Sequence, residues 1–234
     1  MRRLLFILYL CSLALGGVMA QAEKVKNQPY ADMRLFHLGF HVGLHTQDLI
    51  LTNTGATAPG GGVWFAEIPN YNPGFSVGVI GDMFLSPYFN LRFIPTLHFG
   101  DKEFIFREQE SGDEYKTSVR SSYITLPLEI KYSAFRLNNY RPYLTAGAYG
   151  ALDMGRKKGQ ALLLKGSDVG ITVGIGCDIY LSFFKLCPEL KFNFGLKNLL
   201  ETNREDLAQP ELQIYTDALS KATSRMIILT FNFE

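Results

Sequence analysis

The sequence predicts an all-β fold, namely an eight-stranded antiparallel transmembrane β-barrel of the bacterial outer membrane. In residues 168–182 the odd positions are apolar and the even positions are small or polar, as in a strand with one apolar and one polar face. The same alternation recurs along the chain in eight segments. An N-terminal stretch adds the pattern of a secretory signal peptide, since Arg2 and Arg3 precede an apolar run at residues 4–15 and a small-residue cleavage site at residues 18–20.

The N-terminal stretch sets the predicted domain boundaries. Residues 1–20 are the expected signal peptide, because an apolar run this short does not span the ~30 Å hydrocarbon core as a helix. Residues 21–33 are expected to form a periplasmic N-terminal segment, and residues 34–234 the barrel. Loss of Arg2 and Arg3 changes the formal net charge from +1 to −1 (+1 − 2), which gives no reason to expect a nucleic-acid partner.

The candidate strands are each near or slightly above the ~9–11 residues that cross a bilayer at a tilt. They are residues 34–45, 74–85, 89–99 (with a continuation towards 107), 119–132, 141–152, 168–181, 188–197 and 224–233. Long and short connections alternate between them, which is typical of barrels with short periplasmic turns and long surface loops and places both termini in the periplasm. In the last long loop, residues 210–222 are predicted to contain a short helix with one apolar face.

Two features predict that the apolar face points outward to lipid, opposite to a soluble lipocalin-like barrel. The polar face is rich in glycine, which suits the crowded interior of a narrow barrel. Aromatic residues cluster near the short turns, like an interfacial girdle. Pro95 and Pro127 fall within strands and therefore require a local break or bulge in the hydrogen-bond ladder.

Three histidines at four-residue spacing are the candidate metal site. On a strand, however, His37 and His41 lie about 13 Å apart, so they do not share one ion, and we interpret these two and His45 as separate lumenal residues. Cys177 and Cys187 are expected to be too far apart for a disulfide. The chain contains no phosphate-loop or HExxH motif, so the sequence predicts no catalytic residue, no metal and no cofactor.

Charged residues recur on the polar face of the strands. They are Asp82, Arg92, Glu129, Lys131, Asp178, Glu189 and Lys191. Because buried charges must be paired, they predict a structural network of lumenal ion pairs, the alternative being a proton or ion path. A hairpin centred on residue 87 predicts that Asp82 pairs with Arg92, and a turn around residues 183–186 predicts that Asp178 lies near Lys191.

Two of the long loops are apolar for a cell surface. They carry Trp64 and Phe65 in the first loop and Leu162, Leu163 and Leu164 in the third. Exposed apolar groups of this kind mark partner contacts, and the alternative is that they fold back on the barrel rim or enter the lipid. The basic tip in residues 155–159 is a candidate contact with lipopolysaccharide phosphate.

Three segments, residues 72–100, 121–149 and 178–200, resemble the PorT family. The most specific parts are Leu91-Arg92-Phe93, the sequence RLNNYRPY at 136–143, and Pro188-Glu189-Leu190. PorT proteins are outer-membrane barrels of Bacteroidetes, associated with the type IX secretion system and, in some members, with gliding motility. The resemblance implies a component of a protein-secretion machine that exports proteases, and in some species motility adhesins, and it supplies no catalytic residue.

The expected function is therefore a structural or assembly role exercised through the loops, without enzymatic activity. The expected partners are outer-membrane lipid, lipopolysaccharide and other secretion-system proteins, with no nucleic acid and no small-molecule substrate. One alternative is a stand-alone surface adhesin or membrane-stabilising barrel. A second is a lipid-modifying enzyme, which requires a Ser–His pair near a rim that the sequence does not display.

Overall fold

The computed structural model describes residues 26–55, 64–67, 72–108, 114–155, 163–201 and 218–234. The predicted signal peptide lies outside these residues. One short 3₁₀ helix, Ala31–Met33, precedes the strands, and no helix in the described ranges is long and apolar enough to cross a membrane. The strands are β1 Phe36–Asn53, β2 Trp64–Glu67, β3 Pro73–Ser86, β4 Phe89–Phe93, β5 Thr96–Glu108, β6 Glu114–Ser133, β7 Tyr140–Asp153, β8 Ser167–Tyr180, β9 Lys185–Gly195 and β10 Leu219–Phe233.

The strands close into an antiparallel ring of eight. The ring runs β1-β10-β9-β8-β7-β6, then β4 with β5, then β3, which pairs with β1 and closes it. β4 and β5 are two parts of one barrel strand, because both pair with β6 on one side and with β3 on the other. β2 lies outside the ring and pairs only with the far part of β5. Because the remaining strands close into a ring of eight, the predicted eight-stranded antiparallel barrel is confirmed.

The barrel strand formed by β4 and β5 is interrupted at Ile94 and Pro95, opposite Pro127 of β6. The register is the same on both sides of the gap, with Phe93 opposite Leu128 and Thr96 opposite Thr125. Proline lacks the N–H that a ladder needs, so Pro95 and Pro127, which lie at adjacent levels of the β5–β6 register, each remove one donor. The break expected from the sequence is therefore present, and the identical register on its two sides shows that it adds no net bulge.

The apolar face of the strands points outward. Leu38 is 74% exposed, whereas Asp82 and Arg92 are fully buried inside. An apolar outer wall of this extent is favourable in lipid and unfavourable in water. This orientation of the two faces excludes the lipocalin-like alternative. The glycines of the inner face make room for large polar groups. A Cβ at Gly78, for example, would collide with the His41 ring and the Pro95 carbonyl.

Short turns at 87–88, 134–139 and 181–184 lie at one end of the barrel, called here the short-turn end. At the opposite, long-loop end, several strands run further than the sequence predicted. They do so because inward apolar residues form a cluster there: Leu49, Phe106, Leu164, Leu199, Leu200, Leu219 and Ala222. The predicted helix at 210–222 is wrong from Leu219 onward, where β10 pairs with β1, and residues 210–217 lie outside the described ranges.

Candidate functional site in the barrel lumen

The lumen holds a network of buried charges at the short-turn half of the barrel. All seven predicted residues face inward and are buried. Lys185 and Glu234 join them, and these nine residues are called the lumenal network: Asp82, Arg92, Glu129, Lys131, Asp178, Lys185, Glu189, Lys191 and Glu234. Glu234 continues the inward alternation of Thr230 and Asn232, so the sequence held a signal for it. Lys185 fell within a predicted turn, where strand alternation gives no signal for an inward side chain.

Arg92 is the centre of the network. Its Nη2 lies 2.6 Å from Glu234 Oε1 and its Nη1 3.3 Å from Glu189 Oε2. Its Nε lies 3.4 Å from Asp82 Oδ2, in the cross-strand register that the hairpin predicted, although without hydrogen-bond geometry. Asn90 donates to the other oxygen of Asp82 at 2.5 Å. One guanidinium thus touches three carboxylates from three strands or chain segments, which makes its charge compensation strong.

The predicted contact between Asp178 and Lys191 is wrong. Tyr180 pairs with Lys185, so the β8–β9 turn is centred two residues earlier in the chain than expected. Lys191 therefore stands opposite Gly174 and not opposite Asp178. Asp178 instead accepts two hydrogen bonds from Lys131 Nζ, each at 2.8 Å, and Lys185 Nζ lies 4.0 Å away. A turn shifted by two residues moves every cross-strand partner, because antiparallel pairs keep a constant sum of positions.

Lys191 belongs to a second branch of the network. Its Nζ lies 2.8 Å from Glu129 Oε1 and 3.7 Å from Glu189 Oε1. Glu189 also accepts hydrogen bonds from Thr145 at 2.8 Å, from Asn232 at 2.9 Å and from Tyr143 at 3.1 Å. These neutral donors use the lone pairs that the cations leave, so the buried carboxylate is well satisfied.

Tyr143 is the aromatic centre of this half of the lumen, and the sequence analysis did not single it out. Its ring lies 4.1 Å from Lys131 Nζ and 5.8 Å from the Arg92 guanidinium carbon, both within cation–π range. Alternation along β7 places Tyr143 inward, between outward-facing neighbours.

Histidines occupy the next layer of the lumen towards the long loops. His41 Nε2 lies 3.0 Å from Thr96 Oγ1, and His98 Nε2 lies 3.0 Å from Thr125 Oγ1. The ring of His45 packs edge-on against His98 at 5.0 Å, while His37 bonds the carbonyl of Ala31 at 2.7 Å. In the described residues, no three His, Cys, Asp or Glu side chains are arranged to hold a metal ion. The three histidines of β1 act as separate polar groups.

The histidine layer leaves only small spaces. One cavity of about 20 Å³ lies among His41, His98 and Lys191, and another of about 30 Å³ lies beneath Leu199. A single water needs roughly 10–15 Å³ on this measure, so each space holds one or two waters. The apolar cluster at the long-loop end lies beyond them. These two spaces are separate and water-sized, so they do not join into an aqueous channel.

The apolar loop residues behave differently from the first expectation. Leu163 and Leu164 are each 4% exposed, and Leu164 packs in the apolar cluster. They therefore fold onto the barrel rim and are not exposed docking groups. Leu162 lies outside the described residues. Trp64 and Phe65 lie in β2, opposite Glu108 and Arg107 of β5, and Phe65 is half-buried.

The two cysteines lie on opposite faces of the barrel wall. Cys177 is on the outer face and partly buried, whereas Cys187 faces the lumen and is fully buried. Both are free thiols, which agrees with the expectation that they do not form a disulfide. Cys187 stands opposite Asn232, just inside the short-turn end.

Comparisons with known proteins identify the barrel fold and no individual site. A family model described as "Outer membrane protein beta-barrel domain" matches residues 19–201. No curated protein matches the chain. Neisserial surface protein A shares 10% identity over 83% of this chain and 95% of its own, with a TM-score of 0.44. OprG from Pseudomonas aeruginosa shares 10% identity over 84% of this chain and 94% of its own, with a TM-score of 0.45. AlkL in DMPC lipid bilayers shares 13% identity over 92% of each chain, with a TM-score of 0.40. Likenesses this distant say nothing about activity.

Proposed function

This chain belongs to the family of outer-membrane β-barrel domains, and from that premise we propose that it is a closed structural barrel serving a protein-secretion machine of the type IX kind. The resemblance of residues 72–100, 121–149 and 178–200 to PorT proteins supports the choice of machine. The observation that carries the structural role is the filled lumen, with Arg92 bound to three carboxylates and an apolar cluster beyond the histidines.

A filled lumen argues against transport through this barrel. An eight-stranded barrel has an interior just wide enough for side chains, and the two cavities deeper in this lumen are of water size. A cavity of about 450 Å³ lies only at the short-turn mouth, beside Lys185 and Glu234. Conduction of a solute would require the buried ion pairs to separate, and breaking such a pair costs about 3–5 kcal/mol. We therefore propose that this protein acts through its ends, without catalysis and without a cofactor. Reconstituted in a planar bilayer, it is expected to show no ion conductance, and discrete open steps would reject a closed barrel.

The proposed docking surface at the long-loop end is narrower than the sequence suggested. With Leu163 and Leu164 buried, β2 remains, with Trp64 and Phe65. The turn at 136–139 is the next candidate, at the short-turn end, which in outer-membrane barrels of this pattern faces the periplasm. The proposed partners are other secretion-system subunits, together with lipid and lipopolysaccharide around the wall.

A gene deletion in the producing bacterium tests the function. Loss of secreted protease activity, restored by the wild-type gene and accompanied by unchanged lipid A mass spectra, is the expected result. Normal secretion after deletion would reject the secretion role. Altered lipid A would instead favour the lipid-modifying alternative, and loss of surface adhesion alone would favour the adhesin.

Complementation with variants tests the docking surface. Trp64→Ala is expected to reduce export and co-purification with other outer-membrane components while the barrel still folds. Ile50→Ala is the matched control, because Ile50 is 48% exposed on β1 at the same end of the barrel. Equal export by both variants would reject β2 as the surface and direct attention to residues 136–139.

A further inference from the structure

Residues 27–34, called here the N-terminal strap, cross the mouth of the barrel at its short-turn end. The strap leads directly into β1, yet it is bound to the β6–β7 turn and to the end of β8. In the ring, β1 and β7 are four places apart out of eight, so these attachment points lie on opposite walls. A chain segment fixed at both walls spans the opening between them.

The far end of the strap is held by backbone and side-chain hydrogen bonds. The amide of Asn27 donates to Asn139 Oδ1 at 2.8 Å, and its side chain donates to the carbonyl of Tyr180 at 3.0 Å. Gln28 donates to the carbonyl of Leu181 at 3.0 Å. Arg136 donates to the carbonyls of Asn27 and Gln28, the latter at 3.1 Å.

Asp32 holds the middle of the strap. Its carboxylate lies 3.2 Å from Arg141 Nη1 and 3.6 Å from Arg136 Nη1, and it accepts a hydrogen bond from the Tyr180 hydroxyl. The Arg136 guanidinium also stacks on the Tyr180 ring, 3.5 Å from its centre. One acidic side chain thus joins the strap to β7, β8 and the turn between β6 and β7.

The strap has almost no apolar anchorage. Ala31 is its one buried hydrophobic residue, whereas Tyr30 and Met33 are each 76% exposed. The Asp32 ion pairs are partly open to solvent, with the Asp32 side chain 25% exposed. Partly exposed ion pairs hold a segment less firmly than buried pairs do, and segments with few buried apolar contacts open at a fraction of the global unfolding free energy.

We infer that the strap is a releasable lid over the short-turn mouth, held shut by the Asp32 carboxylate. A cavity of about 450 Å³ lies between the strap and the floor of the mouth, where Lys185 and Glu234 form an ion pair at 2.5 Å, the outermost part of the lumenal network. The thiol of Cys187 is fully buried two residues further along β9. Opening would expose this charged floor while the barrel stays folded. The inference does not depend on the proposed role in secretion.

Hydrogen exchange of the folded barrel in lipid nanodiscs tests the inference. Amides of the strap are expected to exchange at least about tenfold faster than those of β1 residues 36–46, since the strap opens locally. Asp32→Asn is expected to accelerate strap exchange by a further factor on the order of ten, without changing β1, because a charge-assisted hydrogen bond is lost. Glu114→Gln is the matched control, as it removes a carboxylate from an exposed ion pair with Arg107 at the other end.

The native thiols supply a second readout. A charged, water-soluble methanethiosulfonate reagent should label Cys187 faster in Asp32→Asn and at high salt, with labelling located by peptide mass spectrometry. Cys177, on the outer wall, is the internal control and should be unchanged. Strap amides that exchange as slowly as β1 would overturn the inference. Fast strap exchange with no gain in Cys187 labelling would also overturn it, because the strap would then not cover the mouth.

Discussion

Arg92 and Glu234 join two strands that are not neighbours in the ring, with Nη2 2.6 Å from Oε1 across 142 residues of sequence. Arg92 belongs to β4, and Glu234 directly follows β10. Both side chains are fully buried. The pair therefore crosses the lumen and exists only when the barrel is closed, which makes it a direct reporter of closure.

Removal of Arg92 should destabilise the barrel strongly. Arg92→Met is expected to cost about 3–5 kcal/mol, because three buried carboxylates lose their shared cation. Glu234→Gln keeps the shape and should cost less, about 1.5–3 kcal/mol. Urea unfolding in detergent, followed by heat-modifiable gel mobility, measures both. Arg107→Met, at an exposed ion pair, is the control and should lower the unfolding free energy by less than about 1 kcal/mol. An equal loss of stability in Arg107→Met and Arg92→Met would contradict a special role of the buried network.

Double-mutant cycles should separate the true partner of Asp178 from the sequence-predicted one. Asp178→Asn combined with Lys131→Met is expected to show a coupling energy of about 1–3 kcal/mol, because the two side chains share hydrogen bonds. Asp178→Asn combined with Lys191→Met is expected to be much closer to additive, since Lys191 pairs with Glu129. Stronger coupling in the second cycle than in the first would show that the register of β8 against β9 differs from that described here.

A glycine-to-alanine pair should reveal the crowding of the lumen. Gly78→Ala places a methyl group against the His41 ring and the Pro95 carbonyl, and is expected to cost about 1–3 kcal/mol. Gly150→Ala is the control, as no atom lies within 4 Å of its added carbon, and a change within about 0.5 kcal/mol is expected. The same unfolding assay compares them. Two equally stable variants would mean that the interior is looser than the structure indicates.

The apolar cluster should behave as a core and not as a docking patch. Leu164→Ala is expected to cost about 2–5 kcal/mol, because it leaves a cavity among Leu49, Leu199 and Leu219. Leu196→Ala, at an outward residue that is 65% exposed, should cost clearly less. Unfolding midpoints and heat-modifiable gel mobility measure the stability of the two variants. Normal stability with impaired protein export in Leu164→Ala would restore the docking interpretation.

Much of the barrel followed from the sequence, because strand alternation and tight hairpins are local. Period-two alternation placed the strands and assigned each residue to the inner or outer face, and this included all seven charges of the predicted network. The turn at residues 87–88 was short enough that counting alone put Asp82 opposite Arg92. Pro95 and Pro127 predicted the ladder break for the same reason, since the missing donor is a property of the residue itself.

Only the closed tertiary structure decided which charges meet across the lumen. Lys131 and Asp178 come from β6 and β8, and Arg92 and Glu234 from β4 and β10, so their distances depend on strand tilt and stagger around the whole ring. Ring closure likewise put Asp32 of the strap against Arg141 on the opposite wall. Burial of Leu164 depended on strands meeting above the membrane span. The sequence by itself determined which face each side chain occupies, and the geometry of closure determined its partner.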